Sequence, residues 1–150
     1  MRPVIVAIAL AVLSFAKPAQ ADWSDEVRET YRRFAAAQNA HDLAKVRALL
    51  LDSPSFLWVS DGRSVWGVDA TLERMGSFQA AEIWRVEPSL DKAVPVRVGE
   101  GSAFLHLPLR LVIGSRPKPD ELKFLVSMLC VSTPAGWRIA ALFTTSDKAE

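Results

Sequence analysis

Two long runs near the C-terminus, Lys123 to Ser132 and Trp137 to Thr145, are almost wholly apolar, β-branched or aromatic. Only Thr133-Pro134-Ala135-Gly136 separates them. Two such runs around a Pro/Gly connector predict a β-hairpin. Pro at the second connector position and Gly at the fourth fit a type I turn. Both strands are apolar on both faces, so neither face of their sheet is expected to lie in water. The rest of the chain must supply cover.

Not all of it is available to do so. Val4 to Ala16 is an apolar run behind Arg2, broken only by Ser14, and Ala19-Gln20-Ala21 precedes Asp22. A positive start, a short apolar stretch and an A-x-A site read as a secretory signal peptide. The run is shorter than the ~20 residues that span a bilayer, so residues 1–21 are expected to be removed and 22–150 to form one domain. Cleavage takes away Arg2 and Lys17 and no acid, so the net charge moves from +1 to −1 and 129 of 150 residues remain. A near-neutral domain lacks the basic face that nucleic acid requires and any polybasic block for anionic lipid. The expected location is periplasmic or secreted, with no membrane association after cleavage. Cys130 is the only cysteine, which rules out an internal disulfide. Among Met128, Leu129 and Val131 it reads as a small buried hydrophobe.

Asp22 to Ala40 predicts a helix with Trp23, Val27, Tyr31, Phe34, Ala35 and Gln38 on one stripe. Asp42 caps a short second helix carrying Leu43, Val46, Leu49 and Leu50, which Pro54 closes. Phe56 to Ser60 and Ser64 to Trp66 flank Asp61-Gly62, a tight-hairpin signal. Gly67 breaks the second strand, and Asp69 is expected to cap a third helix from Ala70 to about Phe78, with Leu72 and Met75 inward. Ile83 to Val98 reads as extended with bends at Pro88 and Pro95. From Ala103 to Ile113, Leu105, Leu107, Leu109 and Leu111 share one face and Phe104, His106, Pro108 and Arg110 the other. Pro108 inside a strand points to an edge or a bulge.

This order of elements resembles the cone-shaped α+β domains of the nuclear transport factor 2-like superfamily. Phe34-Ala-Ala-Ala-Gln-Asn-Ala-His-Asp-Leu43 is similar to the group's first-helix ending. Trp58-Val-Ser-Asp-Gly-Arg-Ser-Val-Trp-Gly67 resembles its strand–turn–strand–Gly element, and Ala135-Gly-Trp-Arg-Ile139 the start of the last strand in SnoaL-like members. The resemblance spans about residues 23 to 146. It implies three helices from the N-terminal half packed on a strongly curved, mostly antiparallel sheet. Ketosteroid isomerase belongs to the same superfamily. An ungapped match on Asn39, Asp42-Leu43 and Ala48-Leu49 puts its tyrosine donor on Phe34 and its Asp base on Trp58. Matching the closing hairpins puts its protonated Asp near Ser127. None of these side chains can do the same acid–base work, so the resemblance implies the fold and predicts loss of that activity.

No other chemistry declares itself. His41, His106 and Cys130 show no metal-ligand spacing, and the chain has no Gly-x-Ser-x-Gly. No catalytic residue, metal or cofactor is assigned. Glu82 and Glu87 flank Trp84 and face either the cone or solvent. Tyr31, Phe34, Trp58, Trp66 and Trp84, with Ser127, are the candidate lining of a pocket for a small apolar or aromatic molecule; alternatively the aromatics fill the cone and leave no cavity. An enzyme with unassigned residues and a protein-interaction module are the other readings. The Ser127 side of the hairpin is expected to look into the cone. Phe124, Val126, Met128 and Cys130 are then expected to look outward, where a second copy of the chain would cover them in a homodimer.

Overall fold

The computed structural model describes residues 22–148; the proposed leader lies outside them. In chain order they form α1 (Trp23–Asn39), α2 (Leu43–Leu49), β1 (Leu57–Ser60), β2 (Arg63–Trp66), α3 (Val68–Gln79) and β3 (Ile83–Pro88). A 3-10 turn (Leu90–Lys92) then leads to β4 (Val94–Gly99), β5 (Ser102–Gly114), β6 (Asp120–Thr133) and β7 (Gly136–Ser146). The seven strands make one sheet, ordered β2-β1-β7-β6-β5-β3, with β4 also on β5. Only β1 and β7 run parallel. The domain is the expected α+β cone, with the helices on one face of a mostly antiparallel sheet.

Local chemistry accounts for the helix starts. The Asp22 carboxylate accepts the Ser24 N–H at 3.2 Å, and Asp42 accepts the Lys45 N–H at 3.0 Å. Val27, Tyr31, Phe34, Ala35 and Gln38 are buried along the inner stripe of α1. The start of α3 differs from expectation. Gly67, at φ 82°, is the N-cap, and Asp69 sits in the first turn, paired with Arg47 of α2. The chain leaves β2 through a left-handed conformation that glycine adopts without strain.

Asn39 ties the end of α1 to the sheet. Its Nδ2 donates to the Val86 carbonyl at 2.9 Å, and its Oδ1 accepts the Val86 N–H at 2.8 Å. Asn39→Ala leaves both partly buried backbone groups without their partner. The expected loss is about 1–2 kcal/mol of stability, with Asn39→Asp, which keeps the acceptor, in between. Urea unfolding reads it, and an unchanged midpoint for Asn39→Ala would show that water replaces the amide at no cost.

Ile83 to Val98 is two strands rather than one bent strand. β3 pairs with β5 as far as Pro88↔Leu109, and β4 resumes at Val94↔His106. Pro108 falls between these registers and accepts the Ser89 N–H at 3.0 Å. In an antiparallel strand a residue's N–H and C=O point to the same side. The missing N–H of Pro108 therefore faces the β3–β4 break, and this interior strand bears a proline without losing a ladder bond to β6.

The closing hairpin forms as expected, with Pro134-Ala135 at its tip and Gly136 at φ 94°. Its faces are the reverse of those expected. Cys130 lies opposite Ala103, Met128 opposite Leu105, Val126 opposite Leu107 and Phe124 opposite Leu109. Paired residues share a face, and Val126, Met128 and Cys130 are all buried in the core beneath the helices. They cannot form a dimer contact. Ser127 is on the outer face beside His106, whose Nδ1 lies 2.9 Å from its hydroxyl. On β7, Leu129↔Ala141 is followed by Cys130↔Ile139, which leaves Ala140 as a bulged extra residue. The bulge shifts the phase so that Trp137, Ile139 and Leu142 are all buried.

Candidate functional site: an aromatic cavity in the cone

Helices α1 and α3, the β1–β2 turn and the inner faces of β3, β5, β6 and β7 surround a cavity of about 940 Å³. That is near the upper end of small-molecule sites, which run ~300–1,000 Å³. The cone is therefore not filled. From α1 the cavity takes Tyr31, Phe34 and Gln38, a set one helical turn apart on the buried stripe. α3 supplies Arg74, Met75 and Phe78. The sheet supplies Trp58, Trp84, Val86, Leu111 and Val126. Ser60 and Asp61 stand at the β1–β2 turn.

One wall is a stack of aromatic rings closed by a cation. Phe78 lies parallel to Trp84, with centroids 6.0 Å apart, and edge-on to Trp58 at 6.5 Å. The Arg74 guanidinium carbon sits 5.4 Å from the Trp58 ring centre and 5.2 Å from that of Phe78. Helical spacing produces this: Arg74 and Phe78 are i and i+4 on α3, so their side chains share one face. The Arg74 Nε and the indole Nε1 atoms of Trp58 and Trp84 are all buried without a hydrogen-bond partner. A buried donor left unpaired costs about 1–3 kcal/mol. Among the described residues Arg74 forms no ion pair. Burial pushes the Tyr31 phenol well above its ordinary range, so it keeps its proton and can act only as a hydroxyl.

The SnoaL-like domain profile matches residues 27–142. The chain belongs to the SnoaL-like domain family. Solved structures of similar fold include a putative dehydratase of the nuclear transport factor 2-like family from Streptomyces avermitilis (TM-score 0.74, 15% identity, 83% of this chain and 97% of that one). A nuclear transport factor 2-like superfamily protein from Salmonella enterica aligns at TM-score 0.73 and 16% identity, over 85% of this chain and 92% of that one. A ketosteroid isomerase-like protein from Erwinia carotovora gives 0.69 and 15%, over 87% of this chain and all of that one. At these identities the likeness establishes the fold alone. No curated protein sequence matches the chain.

Within this SnoaL-like domain, Tyr31, Phe34, Trp58 and Trp84 come together at the cavity, while two of the six residues expected there lie elsewhere. Trp66 is 59% exposed at the outer edge of β2, because Trp58 and Trp66 belong to different cross-strand pairs: Trp58 faces Val65, and Trp66 faces Leu57. Ser127 is on the far side of the sheet, as described above. Glu82 and Glu87 pair with exposed arginines, Glu82 with Arg116 at 3.0 Å and Glu87 with Arg85 at 2.6 Å and with Arg110. Burial pushes the Cys130 thiol up to about 12, so it is no nucleophile at neutral pH. Among the described residues no group of three His, Cys, Asp or Glu side chains could hold a metal ion. Arg74, Phe78 and Gln38 are the site residues that strand and aromatic patterns overlook. The signal was available on α3, where Arg74 is one turn after the buried Thr71 and one turn before Phe78.

Proposed function

We propose that this SnoaL-like domain binds a small apolar or aromatic molecule inside the cone. The observation that carries the reading is the open cavity, lined by Tyr31, Phe34, Trp58, Phe78 and Trp84. N-phenyl-1-naphthylamine, a neutral apolar dye that brightens on leaving water, tests it. Saturable binding at one site per chain is expected. Leu111→Trp, which places an indole in the cavity, is expected to weaken that binding at least tenfold while the domain stays folded. Non-saturable binding, or binding indifferent to Leu111→Trp, would refute the reading.

The export and pairing readings belong to the same proposal. Ala19-Gln20-Ala21 supports cleavage before Asp22, and the domain is proposed to work in the periplasm or outside the cell. A homodimer is proposed through the outer sheet face, now with different residues. Leu57, Leu129 and Phe143 lie on that face, with Phe104, Val94 and Val96. Val94 is 53% exposed, Val96 50% and Phe143 38%. Apolar patches of this breadth are uncommon on monomers. Native mass spectrometry of the protein from its own envelope fraction reads the N-terminus and the chain number together. A mass retaining Met1 to Ala21 refutes cleavage, and a single chain refutes the dimer.

A further inference from the structure

The cavity is lined by more apolar than polar surface, and the polar groups on its aromatic wall are all donors. Arg74, Trp58 and Trp84 line it, and among the described residues the Arg74 Nε and both indole Nε1 atoms, closed off from water, have no acceptor. Three acids, Asp61, Glu121 and Asp147, also line the cavity. Glu121 is held by Arg110 at 3.0 Å, and Asp61 belongs to an exposed turn. The guanidinium lies against the Trp58 and Phe78 rings and, among the described residues, forms no ion pair.

We infer that the molecule this cone takes is an organic acid, an apolar body whose carboxylate is held by Arg74. The inference rests on the cavity being a binding site and adds the charge and chemical class of its occupant. A guanidinium's planar fork matches a carboxylate bidentately. The rings of Trp58 and Phe78 keep the head in place by cation–π contact, as the 5.4 and 5.2 Å separations show. Beside it Met75, Val86, Leu109 and Leu111 line the cavity, and they suit a hydrocarbon or aromatic body.

A pair of isosteric probes tests the charge directly. 2-Naphthoate and 2-naphthalenemethanol share one ring system and differ in the carboxylate. Titrated against the wild-type domain and followed by calorimetry, 2-naphthoate is expected to bind at least tenfold more tightly. Arg74→Met, which keeps length and apolar stem, is expected to remove that preference and leave the alcohol within about twofold. Arg74→Lys is expected to restore part of it. Equal affinities for the two probes in the wild-type domain would overturn the inference while the cavity reading stands, and that comparison needs no variant. Equal losses of both probes in Arg74→Met would overturn it too, by giving Arg74 a purely structural part. If neither probe binds, nor N-phenyl-1-naphthylamine, the cavity reading fails and this one with it.

Discussion

Met128→Asp is expected to leave the domain unfolded, while Leu129→Asp, one residue along, leaves it folded. Met128 is fully buried, opposite Leu105 on one side and Leu142 on the other. A carboxylate placed there has no cation to meet, and an unpaired buried charge costs several kcal/mol. The lost packing of a buried Met adds about 2–5 kcal/mol. Together these match the ~5–15 kcal/mol that holds a typical domain folded. Leu129 points to the outer face between Phe104 and Ala141, where in a single protomer a carboxylate reaches water. Its cost is confined to strand preference, about 1 kcal/mol or less. Far-ultraviolet circular dichroism and urea unfolding separate the two outcomes. A folded Met128→Asp beside an unfolded Leu129→Asp would restore the inverted faces that the sequence alone implies.

The inversion shows where sequence reasoning is strong and where it is blind. Helix starts and hairpin turns were legible because short-range chemistry sets them. Asp22 and Asp42 cap their helices, and Asp61 and Gly62 both take positive φ in the first hairpin, as a two-residue turn requires. The α1 stripe was legible because only one of its faces is apolar. β6 offers no such contrast: Leu125, Leu129 and Val131 on one face rival Val126, Met128 and Cys130 on the other. Its register had to come from β5, whose Leu stripe meets Val126, Met128 and Cys130 directly. Placing Ser127 by likeness to an isomerase overrode the better local clue, that the face without a hydroxyl belongs inside. Trp58 and Trp84 were found because bulky aromatics attract notice. Arg74 was missed because a charge on a helix is ordinarily a solvated one, and only tertiary packing brings it against Trp58 as well as Phe78.

The outer face yields the second large effect: Leu129→Asp is expected to convert the proposed dimer to monomers. Leu129 lies inside an apolar field, flanked by Phe104 on β5 and Ala141 on β7, with Phe143 and Ser127 forming the adjoining pair. The ion pairs of Arg110 with Glu87 and Glu121 sit toward one end of the sheet, away from this centre. Such a layout, apolar in the middle and charged at the margin, is that of a stable interface, which typically buries ~1,200–2,000 Å². In a two-fold contact every substitution enters twice. Two carboxylates are then desolvated together, and each costs several kcal/mol without a partner. A weakening of at least about a thousandfold follows, equivalent to ~4 kcal/mol. The core lies within one protomer, beneath its own helices, so the separated chains keep their circular dichroism spectrum. Sedimentation equilibrium decides it. A wild-type domain that sediments as a monomer at high concentration refutes the dimer, and a Leu129→Asp domain that remains paired places the partner surface elsewhere.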